Sequence, residues 1–94
     1  MRPPPTRFKA MGYYVYILES EQDGSYYVGY ASDLEGRLSR HNGGRSPYTR
    51  GKLPWKLVYH EMHPSRGEAM HREQEIKRKK SHAYIERLVR ASRA

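Results

Sequence analysis

The sequence contains no cysteine, only one phenylalanine and no apolar run longer than a handful of residues. The absence of cysteine excludes a disulfide framework, a thiolate metal site and a cysteine nucleophile. The short apolar runs exclude a helix that spans a membrane, and residues 1–11 lack the apolar stretch of a signal peptide. A cytoplasmic location without a membrane partner is therefore the default prediction.

Aliphatic residues are also scarce, because Ile, Leu, Val and Phe together account for 14 of 94 residues while the net charge is +8. Such a composition is typical of disordered chains. Nine tyrosines, four methionines and one tryptophan replace the missing apolar area, since each aromatic side chain buries roughly 150–250 Å². We therefore predict a disordered, proline-rich leader at residues 1–11 and one small folded domain at residues 12–94.

Two strands and a hairpin are predicted in the first third of the domain. Residues 13–19 and 26–31 are rich in aromatic and β-branched side chains, and the Asp23-Gly24 pair between them is a strong turn signal. A third strand is predicted at residues 55–62, where apolar and polar side chains alternate.

Capping residues predict three helices. Asp33 is a suitable N-cap for a helix through His41, and Ser65 begins a capping box for a second helix that runs to about Lys80. Ser81 is positioned to cap a last helix, whose apolar stripe is expected to pack on the domain: Tyr84, Ile85, Leu88 and Val89. The order strand-strand-helix-strand-helix-helix predicts an α+β domain on an antiparallel or mixed sheet.

Basic residues are concentrated in two segments. Residues 36–60 contain six of them and no acid, with aromatics and glycines in between, and a second cluster follows at residues 77–80. This pattern favours binding of a polyanion and does not distinguish DNA from RNA. The alternative is a solvated basic face with cations at a helix C-terminus. The predicted nucleic-acid-binding residues are Arg40, Arg45, Arg50, Lys52, Lys77 and Lys80.

Three polar side chains interrupt the apolar faces of the predicted helices. Arg37 and His41 lie on or beside the stripe of the first helix, and Glu73 lies on the stripe of the second. An inward carboxylate is costly unless it is paired, hydrogen-bonded or bound to a metal ion. A buried Arg37–Glu73 ion pair that ties the two helices together is an equally good interpretation of these residues alone.

The strands favour a chemical role for these side chains. Tyr16 and Tyr27 are eleven residues apart, so any hairpin loop of even length places both on one face of the sheet. Gly29 is expected to leave an open spot on that face. Two phenols, a guanidinium, an imidazole and a carboxylate suit phosphodiester hydrolysis with a divalent cation. For either tyrosine alone, core packing is the simpler interpretation.

The ordered set of motifs resembles the GIY-YIG nuclease superfamily over about residues 13–80. Tyr14-Val15-Tyr16 and Tyr27-Val28-Gly29 resemble its two namesake motifs, with Tyr14 in place of the first glycine. The segment that contains Arg37 and His41 resembles the family's first helix, and residues 69–77 resemble the helix with its metal-binding glutamate. The Tyr48-Thr49-Arg50 loop resembles that of the short bacterial branch, which is similar to the nuclease domain of the excision-repair C subunit.

This resemblance implies a fold, a cofactor and a set of roles. The fold would be a small three-stranded, largely antiparallel sheet flanked by helices, and the cofactor one Mg²⁺ or Mn²⁺ ion. The implied catalytic residues are Tyr16 as general base, Tyr27 and His41 to orient water or phosphate, Arg37 to stabilise the pentavalent phosphate, and Glu73 as metal ligand.

The expected function is therefore that of a metal-dependent endonuclease acting on DNA. The resemblance suggests branched or single-stranded DNA as substrate and DNA repair or recombination as the setting. Because many relatives take their specificity from an attached module or a partner, a protein partner is also expected, and the chain itself is expected to be a monomer or a weak dimer. The alternative is a non-catalytic nucleic-acid-binding module that keeps the fold and the basic surface.

Overall fold

A three-stranded antiparallel sheet with the strand order β2-β1-β3 lies at the centre of the computed structural model, which describes residues 12–93. Strand β1 is Tyr13–Ser20, β2 is Tyr26–Ala31 and β3 is Trp55–His63. The three predicted strands and the α+β class are confirmed. The predicted leader at residues 1–11 lies outside the described residues.

Three helices flank the sheet, and their N-termini follow the predicted caps. Helix α1 is Leu34–Asn42, α2 is Arg66–Arg78 and α3 is His82–Arg93. The Asp33 carboxylate accepts from the Gly36 amide at 3.0 Å, and the Ser65 and Ser81 hydroxyls accept from Glu68 and Tyr84 at 3.1 Å each. These bonds satisfy amide groups that a helix leaves free in its first turn. Among residues 12–93, every helix is too short or too polar to span a bilayer.

Helix α2 ends before the predicted limit at Lys80. Its last residue is Arg78, and Lys80 adopts a positive φ of 48°. This left-handed conformation reverses the chain between α2 and α3, and it is incompatible with a continued helix. The predicted end at about Lys80 is therefore correct to within two residues, and the left-handed conformation of a lysine has no clear sequence signature.

The two faces of the sheet pack against different helices. On one face, Val15, Ile17 and Val28 contact Ala69 and Ile76 of α2 together with the apolar stripe of α3. On the other face, a second cluster joins the sheet to Leu34 and Leu38 of α1 and contains Tyr16, Leu18, Ala31 and Trp55. The middle strand β1 is therefore buried on both sides, and α1 and α2 lie on opposite faces of the sheet.

The loop at residues 43–54 is fixed by buried polar contacts. Thr49 and Ser46 are buried, and the Trp55 indole donates to the Thr49 carbonyl oxygen at 2.8 Å. The Asn42 side chain bonds both backbone groups of Trp55, at 2.7 and 2.9 Å. Asn42 belongs to α1 and Trp55 to β3, so these hydrogen bonds attach the loop to the folded core.

Candidate active site

Tyr16 and Tyr27 share one face of the sheet, as the hairpin spacing predicts. Tyr16 pairs with Gly29 across the two strands, and Tyr27 is two residues from Gly29 on β2. A Cβ atom at Gly29 would lie 2.5 Å from the Tyr16 hydroxyl. The spot that the sequence predicts to be open is thus occupied by the Tyr16 ring, and only glycine leaves room for it.

A chain of two hydrogen bonds connects Tyr16 with α1 and the loop. The Tyr16 hydroxyl lies 3.0 Å from Nε2 of His41, and Nδ1 of His41 lies 2.8 Å from the Thr49 hydroxyl. All three side chains are at most 2% exposed. Both ring nitrogens of His41 therefore have a partner, and the Tyr16 hydroxyl is held at a fixed position.

Burial keeps the proton on Tyr16 and keeps His41 neutral. Removal from water raises the pKa of Tyr16 to about 12, with Tyr27 and Glu73 adding to the shift and Arg37 opposing it. Removal from water also lowers the pKa of His41 below its usual 6.5, and the charges of Arg37 and Arg40 lower it further. At neutral pH the pair is a protonated phenol beside an unprotonated imidazole, joined by one hydrogen bond.

A pocket of about 420 Å³, here called the β2 pocket, lies at the edge of the sheet that β2 forms. Its lining includes Tyr16, Tyr27 and Gly29 from one face, Arg37 from α1 and Glu73 from α2. Because β2 is an edge strand, side chains from helices on opposite faces meet around it. His41 lies behind Tyr16, away from the pocket lining.

Glu73 pairs with Lys77 one turn later in α2 rather than with Arg37. The carboxylate oxygen and the ammonium nitrogen are 2.9 Å apart, and the Glu73 side chain is 12% exposed. The Lys77 ammonium also lies 5.8 Å from the centre of the Tyr27 ring. Within residues 12–93 the alternative of a buried Arg37–Glu73 ion pair is therefore wrong, and Arg37 is left exposed at the pocket.

One carboxylate in an open pocket fits a hydrated divalent cation. Among the described residues no three His, Asp or Glu side chains form a ligand cluster. Mg²⁺ keeps several water ligands and is commonly held by one or two carboxylates together with substrate phosphate. Glu73 is the side chain able to hold such an ion here, in exchange for its present contact with Lys77.

Two of the predicted nucleic-acid-binding residues, Arg40 and Arg45, lie in a groove next to the β2 pocket. This groove, here called the α1 groove, shares Arg37 with the pocket. Arg50 is exposed on the short 3-10 helix Arg50–Lys52. Lys52 pairs with Asp23 at 3.3 Å, and Lys80 is exposed beyond α2.

Sequence reasoning missed two residues of the site. Thr49 looks like an ordinary loop residue, and nothing in its local sequence indicates the bond to His41. Arg66 also lines the β2 pocket, and here a signal exists. It precedes Glu73 by seven residues, which places both side chains on one stripe of α2.

Comparisons with known proteins find similar sequences over most of the described residues. The family model for the GIY-YIG catalytic domain matches residues 12–85. A UPF0213 protein of Streptococcus pneumoniae serotype 4 is 50% identical over 68 residues, which are 71% of this chain and 68% of that protein. UPF0213 protein SSP2268 of Staphylococcus saprophyticus is 47% identical over 66 residues, covering 69% and 79% of the two chains.

A solved structure is also similar. The solution NMR structure of UPF0213 protein BH0048 from Bacillus halodurans superposes with a TM-score of 0.55 at 44% sequence identity, covering 86% of this chain and 85% of that one. The similarity therefore extends over most of both chains.

Proposed function

The chain belongs to the GIY-YIG catalytic domain family, a family of nucleases, and on this premise we propose that it is a divalent-metal-dependent endonuclease that hydrolyses phosphodiester bonds in DNA. The observation that supports the proposal most strongly is the β2 pocket, where Tyr16, Arg37 and Glu73 meet. Each chemical group that phosphodiester hydrolysis needs is present within it or directly behind it.

Tyr16 is the proposed general base, with His41 as the acceptor of its proton. As the attacking water bonds to phosphorus, its proton passes to the Tyr16 oxygen, and the phenolic proton passes to Nε2 of His41 across the 3.0 Å hydrogen bond. The bond between phosphorus and the leaving oxygen breaks, and that oxygen takes a proton from solvent. Because the pKa of His41 is lowered, the imidazolium then releases its proton readily.

Thr49 is proposed to set the tautomer that this transfer requires. If Nδ1 of His41 donates to the Thr49 hydroxyl at 2.8 Å, Nε2 has a free lone pair for the Tyr16 proton. Thr49 is thus a positioning residue that acts through His41.

Arg37 and Glu73 complete the proposed chemistry. Arg37 faces the pocket and balances the charge of the pentavalent phosphate, and Tyr27 orients the water or the phosphate on the same face. Glu73 is the proposed ligand of Mg²⁺ or Mn²⁺. Such an ion supplies Lewis-acid charge for the phosphate oxygens when bound.

The basic residues around the pocket are proposed to hold the DNA backbone. Arg40 and Arg45 continue the α1 groove from Arg37, so a strand in the groove leads into the pocket. The other members of the proposed binding surface are Arg50, Lys52, Lys77 and Lys80. Branched or single-stranded DNA, a setting in repair or recombination, a cytoplasmic location and a partner protein that adds specificity are proposed from the family resemblance alone.

A cleavage assay with a matched pair of variants tests the proposal. Labelled single strand, duplex, flap and four-way junction would be incubated with Mg²⁺, with Mn²⁺ and with chelator. Glu73→Gln removes the proposed ligand, whereas Glu75→Gln makes the same change on α2 outside the pocket lining, at a residue that pairs with Arg72. We expect metal-dependent cleavage in the parent protein and in Glu75→Gln, and none in Glu73→Gln.

Two results would contradict this expectation. Cleavage at the same rate by Glu73→Gln would indicate a contaminating nuclease or a different site. Binding of every DNA without cleavage under any condition would instead favour the non-catalytic nucleic-acid-binding module.

A further inference from the structure

We propose that Tyr48 is a stacking platform for an unpaired DNA base, and that the preferred substrate therefore contains unpaired bases. The first part requires only that the chain binds DNA. The second part rests on the proposed nuclease function.

Tyr48 is the most exposed large hydrophobic side chain in the described part of the chain, at 84%. Met62 and Met70 follow at 58% and 40%. A flat partner that stacks on an exposed aromatic ring buries its apolar surface. Every nucleobase has a π-face that is able to stack in this way.

The loop presents this ring on a fixed support. Ser46 and Thr49 on either side of Tyr48 are buried, and the amides of Thr49 and Arg50 both donate to the Ser46 carbonyl oxygen, at 3.2 and 3.1 Å. The Trp55 indole holds the Thr49 carbonyl. Because the backbone is already ordered, binding to Tyr48 costs little further loop entropy.

The charge around Tyr48 selects a polyanion over an apolar protein segment. Arg45 and Arg50 are exposed on either side of it in the sequence, and the acid-free segment at residues 36–60 surrounds all three. Neither arginine forms an ion pair within the described residues, so both are available to phosphate. An aromatic ring between cations is the arrangement by which proteins bind single-stranded nucleic acid.

The loop that presents Tyr48 is connected to Tyr16 of the β2 pocket by hydrogen bonds. Thr49, the neighbour of Tyr48, is connected to the Tyr16 hydroxyl by hydrogen bonds of 2.8 and 3.0 Å through His41. In an intact duplex the bases are stacked on each other and paired, so only an unpaired base reaches this ring.

DNA binding in the presence of chelator tests the proposal on the full chain. Fluorescence anisotropy would compare a single strand with a blunt duplex of equal length, for the parent protein, Tyr48→Ala, Tyr48→Phe and Met62→Ala. We expect Tyr48→Ala to weaken single-strand binding about tenfold, within the range for loss of one aromatic stacking contact. Duplex binding should stay within about twofold, and Tyr48→Phe and Met62→Ala should match the parent.

A direct reading of stacking comes from 2-aminopurine in the single strand. The parent protein and Tyr48→Phe are expected to quench its fluorescence at one position, and Tyr48→Ala to abolish that quenching. Unchanged single-strand affinity in Tyr48→Ala, or an equal loss for both DNAs, would overturn the stacking platform and assign the ring to another partner or to backbone contact. Since no cleavage occurs in chelator, this outcome is independent of the Glu73→Gln test of the nuclease.

Discussion

Gly29 shows how one missing side chain determines the geometry of the proposed general base. A methyl group there would lie 2.5 Å from the Tyr16 hydroxyl, which is pinned in place by His41. Gly29→Ala is therefore expected to destabilise the fold by about 1–3 kcal/mol through overpacking and to displace the hydroxyl. Gly51→Ala is the matched control, because a Cβ there meets nothing within 4 Å. Chemical unfolding and cleavage rates measure both effects, and equal values for the two variants would contradict the argument.

Thr49 provides a second prediction at the scale of a residue. Thr49→Val keeps the shape of the side chain but leaves Nδ1 of His41 without its partner, so we expect a loss of about 1–3 kcal/mol in stability. Cleavage should slow by about ten- to a hundredfold, a part of the 10²–10⁴ that general acid–base catalysis contributes. Thr49→Ser restores the hydroxyl and should restore both quantities.

The tautomer of His41 separates this positioning role from a merely structural one. Ring ¹⁵N chemical shifts of His41 should show the proton on Nδ1 in the parent protein and in Thr49→Ser, and a mixture or the opposite tautomer in Thr49→Val. A parent protein with the proton on Nε2 would refute the proposed direction of proton transfer.

The N-terminus of α2 gives a prediction at the scale of an element. Ser65→Ala removes the cap bond to Glu68 at 3.1 Å and is expected to cost about 1 kcal/mol of stability. Gly67→Ala has the opposite sign, because a Cβ there meets nothing within 4 Å and alanine stabilises a helix by roughly 0.5–1 kcal/mol relative to glycine. Urea unfolding of both variants measures the two shifts, and a loss of stability in Gly67→Ala would show that its surroundings are less open than described.

Elements and their caps could be predicted from the sequence because their signals are local. The N-caps Asp33 and Ser65, the turn at Asp23-Gly24 and the alternation in β3 each depend on residues a few positions apart. The end of α2 could be predicted only to within two residues, because no residue type marks the left-handed conformation of Lys80. The shared face of Tyr16 and Tyr27 was predictable, since pleating fixes the parity of side chains across a hairpin.

The site is assembled from helices on both faces of the sheet, and this arrangement could not be predicted from the sequence. The spacing within α1 and α2 indicates inward side chains, but it does not show that the two helices pack on opposite faces of the sheet. Arg37 and Glu73 meet only because β2 is an edge strand around which both reach. The bond from Thr49 to His41 likewise depends on the loop returning to α1.

Global stability is expected to depend on pH through the buried His41, which faces Tyr16 and Thr49 directly and has Tyr27, Arg37 and Arg40 nearby. Its pKa in the folded state is below the usual 6.5, so the unfolded chain binds the proton more tightly. The contribution of neutral His41 to the free energy of unfolding is fully present above about pH 6.5. It decreases as the pH falls from there to the lowered pKa of the folded state.

Unfolding free energies between about pH 7.5 and pH 5.5 measure this dependence. His41→Gln should flatten it, whereas His71→Gln, at an exposed position of α2, should leave it unchanged. The Asp23 carboxylate, whose pKa is lowered to about 2 by hydrogen bonds from Ser25 and Lys52, stays charged over this range. A slope that persists in His41→Gln would assign the effect to other groups.

The packing of α1 and α2 on opposite faces of the sheet restricts which conformations assemble the proposed active site. Partial unfolding that releases α2 alone removes Glu73 from the β2 pocket, while α1 keeps Arg37 beside Tyr16. Release of α1 alone has the converse effect. The proposed active site is therefore incomplete in a partly folded state that lacks either helix. An incompletely folded copy of the proposed nuclease is expected to leave DNA intact.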